Sequence, residues 1–283
     1  MRFIKFDYNY LFTLIILVIG CSSKMKERKI KSIEYYRFDS KVESDKADNI
    51  FKTKLGLYKV ENYNTNGNLI RENGFDNDKK QDNVIENKFD SNNNLIEKQT
   101  FKNYYNQPLT KTYLTKYIYK NNLLVETLSY YGTFDSTGFW ARNKTSYNDK
   151  NQKVRDEYIS YNDDAEKETI TYDWKEQHSY IADKINKEGI LAERHFVRLD
   201  KNGKELEHRM NFGVTSNSDF TFPTYFVNSF DEYGNVLVSK NKYKGKPEQL
   251  MEYKYLYEGE YWNYKLLNIA ENFSTEFRRI TYF

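Results

Sequence analysis

One short pattern recurs along this chain and constrains its fold more than any other feature. Tyr63-Asn64-Thr65-Asn66-Gly67-Asn68-Leu69-Ile70 is echoed by Phe89-Asp90-Ser91-Asn92-Asn93-Asn94-Leu95-Ile96, by Leu199-Asp200-Lys201-Asn202-Gly203-Lys204-Glu205-Leu206 and by Phe230-Asp231-Glu232-Tyr233-Gly234-Asn235-Val236-Leu237. Weaker copies start at Tyr119, Tyr147, Tyr161, Ile185 and Tyr257. Asp or Asn opens a type I turn by bonding its own backbone, and Gly or Asn three residues on takes the left-handed conformation. With apolar residues on both sides, each copy reads as a β-hairpin: a turn with its two strands.

The stretches between turns agree. Tyr113, Thr115, Tyr117 and Tyr119 alternate with Leu114, Lys116 and Ile118, and Tyr253, Tyr255 and Tyr257 alternate with Lys254 and Leu256. Period two indicates strand. Beyond residue 30 no helical period is sustained, and only Lys41 to Phe51 offers a short helix or loop. A mean hydropathy of −0.91 would suit a disordered chain, but 27 Tyr and 19 Phe oppose that reading. Those residues suit a pleated surface, and the 3 Pro are too few to interrupt ladders.

These units resemble the hairpins of the YD-repeat, or RHS-type, family and more loosely MORN-like hairpins, whose units share an aromatic-Asp-x-x-Gly-Asn-x-hydrophobic core. The resemblance covers roughly residues 56 to 267. It implies an all-β fold. In large RHS proteins such repeats spiral into a shell, but this chain is too short for an enclosing role and its copies are irregularly spaced. The expected architecture is therefore one long, strongly twisted antiparallel sheet of hairpin repeats that can curl toward a half-barrel.

The N-terminus sets location. Arg2 and Lys5 precede an apolar run, Leu11 to Ile19, that ends at Val18-Ile19-Gly20-Cys21-Ser22-Ser23. This resembles a bacterial lipoprotein signal, with Cys21, the only cysteine, where the lipid is attached. The run is too short to span a bilayer as a helix. The expected organisation is a signal peptide over 1–20, a basic lipid-anchored tether over 21–31 and a single hairpin-repeat domain over 32–283. High Asn, Lys, Ile and Tyr usage resembles the AT-rich coding of Bacteroidota. Ser22, Ser23 and Lys24 after the cysteine, with no early acidic run, favour an outer-membrane anchor facing the periplasm over the cell surface.

Function is less legible. A net charge of +3 with both signs interspersed excludes a phosphate-tracking stripe, so no nucleic-acid partner is expected. No Gly-x-Ser-x-Gly, His-Glu-x-x-His or phosphate-binding glycine loop is present, and Asp163-Asp164 reads as a solvated turn, so no catalysis and no cofactor are expected. His195 and His208 flank the turn at Asp200 to Gly203. A four-residue loop would pair Leu199 with Lys204 and set the two rings directly opposite, with Val197 and Met210 on the same face, whereas a three-residue loop with a Gly bulge would send the two histidines to opposite faces. No third ligand is evident, so no metal is expected. An outer-membrane barrel is disfavoured because Lys and Glu occupy both parities of most strands, and the terminal Phe283 reads as the end of a closing edge strand.

Two ways of binding remain. A scaffold role toward another envelope protein would use an uncovered apolar face or a free sheet edge. Glycan or peptidoglycan binding would use exposed rings, for which Tyr130, Tyr131, Phe139 and Trp140 around Gly132 and Gly138, and Tyr261 with Trp262, are the candidates.

Overall fold

The computed structural model describes residues 29–103, 108–132, 136–161, 166–212, 224–243, 245–258, 261–269 and 272–283. The lipobox with Cys21, most of the tether, Asp163-Asp164 and the turn after Tyr161 lie outside them. The strands are β1 (Ile30–Phe38), β2 (Leu57–Tyr63), β3 (Leu69–Phe75), β4 (Gln81–Phe89), β5 (Leu95–Lys102), β6 (Thr110–Lys120), β7 (Leu123–Tyr131), β8 (Phe139–Tyr147) and β9 (Lys153–Ser160). They continue as β10 (Lys167–Glu176), β11 (Ser179–Ile185), β12 (Leu191–Leu199), β13 (Glu205–Phe212), β14 (Thr224–Phe230), β15 (Val236–Lys242), β16 (Gln249–Glu258), β17 (Tyr261–Ile269) and β18 (Asn272–Tyr282). One helix, α1 (Ala47–Thr53), follows a 3-10 turn over Ser44–Lys46, inside the stretch expected to be a short helix or loop. Ile30 and Lys31, assigned to the tether by the sequence reading, are the first residues of β1.

The fold is all-β and antiparallel, as expected, and its curling goes to completion. Every strand pairs with its sequence neighbours, and β18 pairs back onto β1, so 18 strands form a closed ring and not a half-barrel. Closure leaves no free edge, which removes the strand-edge route to a protein partner. The closing pair is long, from Ile30 with Tyr282 to Phe38 with Thr275, so the strand that ends beside Phe283 is paired on both sides.

The turn code explains the neighbour pairing. At Asn64, Asp76, Asp90, Asn148, Asn186, Asp200 and Asp231 the same bonds recur: the amide three residues on donates to the opening residue's carbonyl, and the opening amide donates to the carbonyl four residues on. The side-chain oxygen accepts the amide four residues on in all of them. Gly67, Lys79, Asn93, Asn151, Gly189, Gly203 and Gly234 take the left-handed position, with φ from 59° to 84°. After each turn one residue is left over in the ladder, for example Ile70, where Tyr63 pairs Leu69 but Asn62 pairs Arg71. Such bulges add right-handed twist and bend the strand, which helps the sheet to curl. They also explain why Ile70, Ile96 and Leu237 stand exposed: each is the bulged residue.

Carrying the register around the ring separates two faces. One is rich in tyrosine and hydroxyl side chains, including Tyr35, Tyr63, Tyr117, Tyr172 and Tyr255. The other carries cross-strand ion pairs such as Arg71–Glu86 at 3.1 Å, Arg194–Asp183 at 2.7 Å and Arg198–Glu207 at 3.1 Å. Lys59, Glu61 and Asp156 stand mid-strand on the tyrosine face, so neither face offers the uninterrupted apolar band that lipid requires. No helix among the described residues is long and apolar enough to cross a membrane.

The apolar core is local. Ile50 of α1 packs with Tyr36, Leu57, Tyr264 and Phe277 where β17, β18, β1 and β2 meet. Thr275, fully buried, donates to the Ser40 carbonyl at 2.7 Å and accepts from the Val42 amide at 3.0 Å, fixing the connection to the charged face. Gly56 ends it at φ +72°, where an added Cβ would meet the Arg37 carbonyl oxygen at 2.7 Å. Only glycine fits that approach.

Because strands alternate in direction, connections after even-numbered strands share one rim and those after odd-numbered strands the other. The even rim has short turns, none longer than 64–68, and also holds the start of β1 and the end of β18. The odd rim carries the longer connections, among them 39–56, 103–109, 132–138 and 161–166.

Candidate functional site: an aromatic rim

The two groups of candidate rings fall on opposite rims. On the even rim Tyr261 is half-buried and Trp262 is 8% exposed. A bulge at Asn263, where Tyr257 pairs Trp262 but Leu256 pairs Tyr264, turns the indole onto the tyrosine face. There the Arg278 guanidinium lies 3.5 Å from its ring centroid and donates to the Trp262 carbonyl at 2.8 Å. Tyr255 packs on the same indole at 5.8 Å and Lys265 at 5.3 Å. Trp262 is thus a shelf for a half-buried arginine and presents no open ring to a ligand.

Beside it runs a polar network that the sequence reading did not single out. Glu61, 7% exposed, accepts from Tyr35 at 2.5 Å, Tyr63 at 2.6 Å and Lys59 at 2.7 Å. Burial opposes ionisation of Glu61, but these donors outweigh it and hold the carboxyl below its ordinary value. Burial and the same carboxylate push the Tyr35 and Tyr63 phenols far up. Glu276 is bonded likewise by Tyr58 at 3.0 Å and faces Arg37 at 3.4 Å and Lys265 at 3.6 Å. Every charge here has an opposite partner or a phenol, which marks the seam as structural.

On the odd rim the rings are open. β7 ends with Tyr130 and Tyr131 on opposite faces, paired with Leu114 and Tyr113. Gly132, at φ +71°, donates to the Thr112 carbonyl at 3.0 Å and turns the chain. Phe139 opens β8 against Tyr130, ring centroids 5.5 Å apart, and meets Tyr161 at 4.9 Å. Tyr131 packs on Tyr113 at 5.1 Å. Trp140 is a bulged residue, since Tyr130 pairs Phe139 while Ser129 pairs Ala141, and its carbonyl accepts from the Tyr161 amide at 2.8 Å. Tyr131 is 54%, Tyr161 48% and Trp140 38% exposed. Tyr130 and Phe139 are therefore brought together with Tyr161 on one face, Tyr131 packs with Tyr113 on the other, and Trp140 is the bulged residue beside Phe139. The only sequence signal for Tyr161 was its place in a weak repeat. Rings exposed at the rim, as at Tyr161, Trp140 and Tyr131, can receive the C–H face of a sugar ring, and Lys116, 5.5 Å over Tyr130, adds a cation.

His195 and His208 do meet, but by another register. The loop is three residues closed by Asp200 and Lys204, and Leu206 is bulged, so His195 pairs Met210 and Val197 pairs His208. The two shifts restore face parity, and the rings touch diagonally, with His195 Nδ1 2.9 Å from His208 Nε2. Their outer nitrogens face Glu193 at 3.0 Å and Glu205 at 3.3 Å. Burial lowers the His208 pKa, with Glu205 pulling against it. Among the described residues no group of three or more His, Cys, Asp or Glu is arranged to hold a metal ion.

No protein-family model matches this chain, and no curated protein does. Among solved structures it is similar to a porin-like protein from Bacteroides uniformis, with 12% identity over 89% of this chain and 96% of that one and a TM-score of 0.36. A likeness that slight carries no inference about this chain.

Proposed function

We propose that this chain is a lipid-anchored protein of the outer membrane, facing the periplasm, that acts by binding a glycan on the aromatic odd rim and performs no catalysis. The observation that carries the reading is the set of exposed rings, Tyr131, Trp140 and Tyr161, gathered at one rim of a closed sheet, with Tyr161 packed on Phe139 and Tyr130. Orientation favours it too. A lipid on Cys21 would tie the even rim, where β1 starts, to the bilayer through residues 21–29, which reach about 30 Å when extended. The aromatic rim would then point away from the membrane.

Peptidoglycan fragments and outer-membrane polysaccharide, offered to the full-length lipidated protein in detergent micelles, test this. Binding is expected to fall about tenfold in Trp140→Ala and in Tyr161→Ala as ring stacking is lost. Recovery of one stoichiometric protein in place of glycan, indifferent to both substitutions, contradicts it and supports a scaffold role through side-chain contacts.

A further inference from the structure

On the charged face, directly beside the aromatic rim, lies a groove of about 330 Å³ lined by Arg155, Lys167, Thr169, Thr171 and Lys187, with the turn from Asn186 to Gly189. Ladder register connects it to the rings. Lys167 pairs Ile159, Ile159 pairs Arg142, and Arg142 pairs Leu128, so Lys167 shares a face with Tyr130 and lies across from the strand that runs into Tyr161. The Phe139 ring bridges Tyr130 and Tyr161 at the head of the same surface.

The charges in the groove do not cancel. Arg155 is engaged by Glu157 at 2.7 Å, and Asp183 on the next strand is held by two Arg194 nitrogens at 2.7 Å each. Among the described residues Lys167 and Lys187 form no ion pair, in contrast to the paired ladder elsewhere on this face. Two ammonium groups with no ion-pair partner among the described residues, beside two threonine hydroxyls, make a site for an anionic group carried by a polar ligand. The Thr169 and Thr171 side chains, two apart on β10 and further from the rim than the two lysines, supply hydroxyl donors along the groove.

We infer that the glycan bound at the aromatic rim is acidic, its rings lying on the Tyr130–Phe139–Tyr161 surface and a carboxylate reaching Lys167 and Lys187 in the adjoining groove. This rests on the glycan reading above and narrows it to a substrate class. The length of the surface, from β7 to the β11–β12 turn, suits an oligosaccharide and not a single sugar.

Calorimetry on the full lipidated chain with oligogalacturonate and with its neutral methyl ester separates the two claims. The acid form is expected to bind about tenfold more tightly at low salt, and the difference should shrink as salt rises. In Lys167→Gln/Lys187→Gln, both exposed positions whose replacement leaves the ladder intact, the preference for the acid should vanish while ester binding stays unchanged. Equal binding of both forms by the wild type, or a preference that survives the double substitution, overturns the acidic class and leaves the glycan reading standing. Failure of the wild type to bind either form overturns the acidic class, and the glycan reading then stands or falls on the peptidoglycan and polysaccharide binding described above.

Discussion

Glu61 concentrates the chemistry of the closing seam in one carboxyl. Its folded pKa lies below the ordinary value of 4.5 because three donors outweigh its burial. A depressed folded pKa means a stabilising contribution that is complete above pH 4.5 and is lost as pH falls through the lowered folded value. Glu61→Gln is expected to cost about 1–3 kcal/mol at pH 7, because charge-assisted bonds become neutral ones. It should also flatten the loss of stability on the acid side. Urea midpoints from pH 7 to 3 check this, and an unchanged pH slope would remove Glu61 from the account. None of the partners was visible beforehand: Tyr35 and Glu61 meet because β1 lies beside β2, and Trp262 is buried because β17 bulges at Asn263. Sequence shows an aromatic residue; only strand pairing decides whether its ring is open, as at Trp140, or covered, as at Trp262.

At the scale of elements, the hairpin turn was the most legible feature. The Asp or Asn that opens it and the left-handed residue three places on occur at Asn64, Asp90, Asp200 and Asp231 in the bonding pattern the sequence implied. The turn at Asp76 escaped because Lys79 occupies the left-handed position, at φ 62°, where Gly or Asn was the signal. Asp200 accepts from the Asn202 and Lys204 amides at 2.8 Å each. Asp200→Ala should therefore cost about 1 kcal/mol, whereas Asp200→Asn should be near neutral, since Asn serves at 64, 148 and 186. Thermal melting distinguishes them, and equal losses in both variants would assign the effect to charge and not to the turn. Register was less legible than turn type. The bulge that follows each turn, at Leu206 as at Ile70, has no residue signature, and it made His195 and His208 diagonal neighbours on one face, where a four-residue loop implied direct opposition and a three-residue loop opposite faces.

For the whole molecule, seventeen of the pairings link strands adjacent in sequence, seven of them through the turn code, and the eighteenth, β1 with β18, joins residues such as Ile30 and Tyr282. No short pattern encodes that pair. It follows from the accumulated twist of bulged hairpins and from the core that α1 seals over the seam, including Tyr36 and Phe277, which face each other across it. Closure also means that any partner would have to be met by side chains and loops, since the ring has no strand edge to offer. The curling sheet was foreseen, but its completion depended on strand number and stagger, which are properties of the assembled sheet and not of any hairpin.

Residue-resolved amide hydrogen exchange across β1 tests closure most directly. From Ser32 to Tyr36 this strand is laddered to β18 on one side and to β2 on the other, so successive amides point into alternate partners. A closed ring predicts that every amide from Ile33 to Tyr36 is protected. Protection of only every second amide, with the others exchanging freely, would mean that β1 is an open edge and would contradict the account.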